Sequence, residues 1–372
     1  MEESEGRFTL PHRPLVIVVF ESIIAVVFAI LSIIGNTLII AGFWKSKTLR
    51  TIPNRLVVNL SIVDVLSAIT THPLLASVVI EGAWRFGDEA CKYQAILNSF
   101  LFITSHFSIA LITLNRYFVI VRYKKYTEVF TKRLTRVFVA AIWVFSSFLA
   151  STHFAAQDKA KFHAKEAFCI ISKEKSSIAS LIITAFGNIA FLTTVFLNFA
   201  ILKLVRLHRS RVSVSFNRNS FFAKVARREA QGNAGKSCAI KKQGILANKN
   251  EEFYIARKVV IVTSLYTLCW LPQGIIKNAS LANKDFSREI WMASTFCMQL
   301  SSVLNPVLYG FLNRKVKKAV FGMLGIGVCK RIHVTTTDRE ITSRQLRLKN
   351  TFTVIQALDQ VKCNDVVPVR LE

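Results

Sequence analysis

The chain has 372 residues, of which 52% are hydrophobic, a mean hydropathy of +0.39, and 49 Lys and Arg against 22 Asp and Glu. A water-soluble domain does not combine that hydropathy with that charge. The basic residues form no continuous face of the kind that grips nucleic acid; they lie between long uncharged runs, which makes the chain an all-α membrane protein with no nucleic-acid partner.

Residues 1–14 form a short amino-terminal segment opened by Glu2, Glu3 and Glu5. The first apolar run has no small-residue cleavage site and reads as a retained signal-anchor helix. Seven transmembrane helices are expected over 15–44, 54–80, 90–122, 133–155, 176–207, 252–278 and 287–312, here called spans one to seven. Each is near or above the roughly 18–20 residues that cross a bilayer. Over 313–325, Val316, Val320 and Leu324 recur at helical spacing with Lys and Arg between them, the pattern of an amphipathic helix on the inner leaflet. Residues 326–372 are a polar tail. With the amino terminus outside, the inner segments carry 37 Lys and Arg and the outer ones 12, so the amino terminus is expected to be extracellular and the tail cytoplasmic. The same excess favours contact with anionic membrane lipid.

Polar groups inside the spans are expensive and are therefore candidates for function. Asp64 is the one carboxylate in the middle of a span, about 16 Å along the helix from Pro53 at 1.5 Å per residue. Asn36, Ser105, Ser301 and Asn305 fall at comparable depth on spans one, three and seven. Two readings stand: a polar cavity holding a sodium ion or a proton on Asp64, and an interhelical hydrogen-bond cluster that only holds the bundle together. Asn115, Arg116 and Tyr117 end span three at its inner rim, where Glu251 and Glu252 begin span six; Arg116 either clamps to Glu252 or snorkels to lipid. Trp270 stands beside Pro272, whose missing N–H makes a hinge in span six. Asn305, Pro306 and Tyr309 give span seven a polar group, a kink and a candidate inner switch. Cys91 and Cys169 are the two cysteines in outer territory, either bridged, which would pin the loop after span four over the bundle, or two free thiols. Cys329, beside Lys330 and Arg331, is a palmitoylation candidate, and Thr335, Thr336, Thr337, Thr342 and Ser343 form a candidate phosphorylation cluster.

Taken together these residues resemble the rhodopsin-like (class A) G-protein-coupled receptors over about 15–325. The motifs are Gly35-Asn36, Asn59-Leu60-Ser61 with Asp64, Trp84 with Phe86-Gly87, Asn115-Arg116-Tyr117, Trp143, Cys269-Trp270-Leu271-Pro272 and Asn305-Pro306-Val307-Leu308-Tyr309. The resemblance implies a seven-transmembrane bundle in the plasma membrane, a Cys91–Cys169 disulfide, an allosteric sodium ion at Asp64, no enzymatic activity, and a heterotrimeric G protein as partner through outward movement of span six. It also implies arrestin binding through the phosphorylated tail. Implied ligand contacts are Asn98, Phe102, Trp270, Gln273, Lys277, Thr295 and Gln299, and implied switch residues are Asn115, Arg116, Tyr117, Glu252, Pro272, Pro306 and Tyr309. Departures from the pattern sharpen this. Asn115 replaces the acid usual before the arginine, so ligand-independent signalling is expected. Asn98 replaces the aspartate of amine receptors, which disfavours a monoamine, and Gln299 replaces the lysine of opsins, which disfavours retinal. His106 and Tyr266 stand at unusual positions in mid-bundle and are expected to hydrogen-bond to each other. A small non-amine molecule, a lipid or a short peptide remains as ligand. A receptor-shaped protein that does not signal is the alternative; a transporter would need more charge along its path than Asp64 supplies.

Overall fold

The computed structural model describes residues 8–155, 159–171, 178–226, 260–280, 282, 284–312 and 314–323. The chain divides into two units, Met1–Ile326 and Gly327–Glu372. The second, with Cys329 and the tail Thr and Ser residues, lies outside the described residues, as do Glu251 and Glu252.

Span one is α1, Leu15–Lys45. It begins after Pro14, whose carbonyl accepts the N–H groups of Ile17 and Val18, and contains no interior proline. Leu15, Phe20, Ile23, Ile30 and Ile34 are exposed, whereas Glu21, Ser32 and Asn36 are buried. Apolar outside and polar inside suits lipid and would fail in water.

Span two is expected to run unbroken over 54–80, but it is two helices, α2 (Ile52–Thr70) and α3 (His72–Glu81), meeting at Thr71. Pro73, in the first turn of α3, has no N–H to give the carbonyl four residues back. At the junction the Thr71 hydroxyl and N–H both donate to the Ser67 carbonyl at 2.9 Å. The helix ends at Gly82, whose φ of 75° favours glycine.

Span three is α4, Gly87–Ile120. It is the central helix, mostly buried, and packs against spans two, four and five and the outer hairpin. A short inner helix, α5 (Tyr123–Val129), leads to span four, α6 (Lys132–Ala155). The hairpin pairs β1 (Ala160–His163) antiparallel with β2 (Phe168–Ile171). Span five, α7 (Ile178–Ala226), continues past the expected end at 207, carrying the helix into the third inner loop. Span six is α8, Val260–Ser280, and span seven is α9, Arg288–Leu312. Then α10, Arg314–Met323, supplies the amphipathic helix, with Val316 buried against Ile39, Phe43 and Val58.

Six of these helices are long and apolar enough, by length and composition, to cross a membrane. Span seven is long enough at 25 residues, roughly 37 Å at 1.5 Å per residue, but its Gln299, Ser301, Ser302 and Asn305 lower its hydropathy. It is buried by its neighbours rather than by lipid, so Ser301, Ser302 and Asn305 find protein partners.

Span one fits tightly against the Pro306 kink. A Cβ on Gly35 would lie 2.6 Å from Cγ of Pro306, so only glycine permits the approach. Pro306 cannot donate to the Ser302 carbonyl four residues back. Asn36 takes that place, its Nδ2 donating to the Ser302 carbonyl at 3.0 Å. The proline on span seven thus explains both the glycine and the asparagine on span one.

The outer end is closed by ions and backbone pairing. Glu21 is buried and its Oε2 accepts from Arg13 at 3.0 Å and from Arg288 at 2.6 Å. Two guanidinium partners offset the cost of burying one carboxylate. Leu10 N–H donates to the Gly82 carbonyl and Trp84 N–H to Phe8, which lays the amino-terminal segment along the first outer loop.

Candidate functional site

A cavity of about 800 Å³ opens in the outer half of the bundle. Span three contributes Asn98, Phe102 and His106, which recur every four residues and so share one helix face. Span six contributes Trp270, Gln273 and Lys277 by the same rule. Of the implied ligand contacts, Asn98, Phe102, Trp270, Gln273 and Lys277 line this cavity. Thr295 and Gln299 do not: both are buried away from its wall, and neither the Thr295 hydroxyl nor the Gln299 amide has a hydrogen-bond partner among the described residues.

The hairpin covers the cavity. Cys169 on β2 is bridged to Cys91 at the start of span three, with 5.3 Å between their Cα atoms. Gln94, one turn on, accepts the Cys169 N–H at 3.0 Å. A second tie runs to the start of span seven, where Lys165 Nζ donates to Asp285 at 2.6 Å and to the Phe286 carbonyl at 2.9 Å. That ammonium, bonded to an exposed carboxylate, holds Asp285 below the usual carboxylate range.

These anchors carry Glu166 to the cavity wall, where it is buried. Its Oε2 accepts from Gln273 Nε2 at 3.3 Å and faces Lys277 Nζ at 3.6 Å, while Oε1 lies 3.7 Å from His163 Nδ1. Gln273 also accepts the Ser294 hydroxyl of span seven. Glu166, His163 and Ser294 are absent from the residues expected from sequence. Loops carry no periodicity that says which residue faces inward; the available signal is that Glu166 stands three residues before Cys169 on the loop that the bridge holds over the bundle.

Below the cavity an aromatic column descends. Phe102 and His106 are 4.3 Å apart, His106 and Trp270 4.5 Å, and Tyr266 and Trp270 5.9 Å, between ring centroids. Trp270 Nε1 donates to Ser301 at 3.1 Å. The expected hydrogen bond between His106 and Tyr266 is not formed. Their rings meet edge to face at 5.8 Å, and the Tyr266 hydroxyl pairs with Ser105 at 2.8 Å. On span five Gly187 lies under Phe102: a Cβ there would sit 2.4 Å from Cε1 of the ring.

The residues expected around Asp64 separate into two groups. Asp64 accepts from Asn305 Nδ2 at 2.9 Å and from the Ser302 hydroxyl at 3.1 Å. Asn36 joins this group through the Ser302 carbonyl. Ser105 and Ser301 do not reach Asp64; Tyr266 and Trp270 hold them. Ser302 takes the place expected of Ser301 because adjacent helical residues point about 100° apart at 3.6 residues per turn. Nearby, Asn59 accepts from Trp143 Nε1 at 2.8 Å and donates to Ser108 at 2.8 Å, tying spans two, three and four.

At the inner end Asn115 is buried, and neither amide atom has a partner among the described residues. Arg116 follows it, and Tyr117 sets its ring 6.1 Å from Phe118. Glu252, the expected partner of Arg116, lies outside the described residues, and of Tyr309 only the helical backbone is described. Pro272 and Pro306 both lie within helices. An unforeseen contact links spans five and six, where the Thr263 hydroxyl donates to Asn198 Oδ1 at 2.7 Å.

Residues 35–309 match the family described as 7 transmembrane receptor (rhodopsin family). The chain is 25% identical to an octopamine receptor beta-2R of Chilo suppressalis, covering 85% of this chain and 82% of the relative. It is 24% identical to a melatonin receptor type 1B-B of Danio rerio, covering 84% of each. Against a melatonin receptor type 1C of Gallus gallus the identity is 23%, covering 79% of each.

Proposed function

Since the chain belongs to the rhodopsin family of seven-transmembrane receptors, it is a multi-pass G-protein-coupled receptor and not an enzyme, and we propose that it is switched by a small, mainly apolar and neutral molecule seated under the outer hairpin. The carrying observation is the cavity itself. Its volume of about 800 Å³ falls within the roughly 300–1,000 Å³ of small-molecule sites, and its wall combines Phe102, Phe162, Phe191 and Trp270 with a few converging polar groups. Lys161 and Lys277 are the wall's lysines, and Glu166, the one carboxylate among the described wall residues, faces Lys277 at 3.6 Å, so an amine has to break that pair before it gains a counter-ion. A neutral ligand leaves it in place. Some relatives are named for octopamine and others for melatonin; with Asn98 on span three, this cavity suits neutral chemistry better than an amine.

The receptor is oriented with its amino terminus outside in the plasma membrane. A filled cavity presses on Phe102 and Trp270, and the Pro272 hinge lets span six move outward from Arg116 to admit the G protein. The basic α10 rests on anionic lipid, and the phosphorylated tail recruits arrestin.

A screen of neutral aromatic compounds in cells carrying a promiscuous G protein tests the ligand class. A response confined to amines or to acids overturns it. The Gly187→Ala variant tests the place. Its new methyl collides with the Phe102 ring, which has to swing into the cavity, and potency of any agonist from the screen is expected to fall about tenfold with surface expression retained, the size of a roughly 1.4 kcal/mol penalty. Unchanged potency excludes this cavity as the agonist site.

For sodium, the residues fit poorly. Both carboxylate oxygens of Asp64 accept hydrogen bonds, and the Ser105 and Ser301 oxygens are engaged elsewhere. The hydrogen-bond cluster is the better reading. Agonist affinity is accordingly expected to change less than twofold when sodium replaces a large organic cation at about 0.15 M ionic strength. A severalfold sodium effect that vanishes in Asp64→Asn restores the ion.

A further inference from the structure

His106 lines the cavity from below, deep in span three, and is only 4% exposed. Its Nδ1 lies 2.9 Å from the Phe102 carbonyl oxygen. A carbonyl only accepts, so Nδ1 carries the proton and donates it, and Nε2 of the neutral ring is left as an acceptor. The donors nearest to it are committed. Trp270 Nε1 donates to Ser301, and the Tyr266 hydroxyl pairs with Ser105. Among the described residues, the rings that meet the imidazole are those of Phe102, Phe191, Tyr266 and Trp270, none of which offers it a hydrogen. Nε2 is not among the buried polar atoms that the protein encloses without a partner, so the side on which it is open is the cavity.

A lone acceptor at the bottom of an apolar chamber selects what enters. An unpaired polar atom facing hydrocarbon is costly, and a ligand that supplies an N–H or O–H removes that cost. We infer that His106 Nε2 is the floor anchor of the ligand site and that the ligand is a neutral aromatic or other apolar molecule whose leading end carries one N–H or O–H donor. This rests on the reading that the cavity is the ligand site and adds which end of the ligand goes in first. The position is also suited to signalling. The anchored imidazole lies 4.5 Å from Trp270, so the bond that selects the ligand acts on the side chain beside the span-six hinge.

The test uses the purified full-length receptor and two fragments, 4-fluorophenol and its methyl ether 4-fluoroanisole, followed by fluorine NMR line broadening. They differ by the one donor. Partition into detergent is common to every variant, so the quantity read is the ratio of the two dissociation constants, compared between variants. Wild type is expected to prefer the phenol over the ether by about fivefold to tenfold more than His106→Phe does, the size of one neutral hydrogen bond. His106→Gln, which places an amide oxygen near the Nε2 position, is expected to keep most of the preference. His106→Asn, which reaches only the Nδ1 position, is expected to lose it. The same ratio in wild type and in His106→Phe overturns the anchor while leaving the cavity reading intact. Failure of both fragments to bind wild type overturns the cavity reading together with the anchor. Thermal unfolding of each variant shows whether its ratio is read on folded protein, and should His106→Phe fail to fold, equal ratios in wild type and His106→Asn overturn the anchor in its place.

Discussion

Gly35→Val is expected to reduce folded receptor at the cell surface to less than about a tenth of wild type. Even the first carbon of the new side chain would fall 2.6 Å from Cγ and 3.0 Å from Cβ of Pro306. The proline ring cannot rotate away, because φ is fixed by the ring itself and the residue sits inside span seven. Spans one and seven must therefore separate, which costs about 1–3 kcal/mol as overpacking. Separation also breaks the 3.0 Å bond from Asn36 to the Ser302 carbonyl. That carbonyl has already lost its helical partner to Pro306, and in hydrocarbon no water replaces it. Gly35→Ala is expected to fall between the two, since it collides with the same atoms but adds no branch. Surface immunostaining of a tagged receptor against total expression checks this. Valine variant levels equal to wild type would falsify the close approach.

Asn115→Asp is expected to lower basal second-messenger output about threefold to tenfold. Asn115 is buried beside Arg116 with its amide unpartnered among the described residues. A carboxylate in that place offers the neighbouring guanidinium a charge-assisted bond, worth roughly twice a neutral one. The bond holds Arg116 inward, which favours the inactive bundle. About 1.4 kcal/mol of differential stabilisation shifts the two populations tenfold, and partial exposure of the inner rim to water reduces that figure. The comparison is made without ligand, at matched surface expression, with the G protein present. Equal basal output from the two chains sinks the idea that the missing acid leaves this receptor active on its own.

Much of the site was legible before the fold. Asn98, Phe102, Trp270, Gln273 and Lys277, implied by the family resemblance, do share one cavity. Asp64, Asn36 and Asn305 were legible because polar groups in a membrane helix are few and need partners. Thr295 and Gln299, implied by the same resemblance, lie off the cavity wall, because a shared motif does not fix the rotation of span seven in this bundle. Glu166 was missed because its position depends on a disulfide and an ion pair made far away in sequence. The His106–Tyr266 bond failed because each found a nearer partner, one on its own helix and one across the bundle.

The division of span two at Thr71 emerged only with the structure; by itself the sequence determined the seven spans, the proline inside span seven and the polar residues within them. Those follow from local terms: roughly twenty apolar residues satisfy their own backbone in lipid, and proline lacks an N–H wherever it stands. Only the tertiary structure decided that Ser302 rather than Ser301 meets Asp64, that Gly35 rests on Pro306, that Glu166 closes the cavity and that His106 presents Nε2 to it. Each of those depends on the rotation of one helix against another, and a rotation of about 100° exchanges neighbouring residues while leaving the pattern along the chain unchanged.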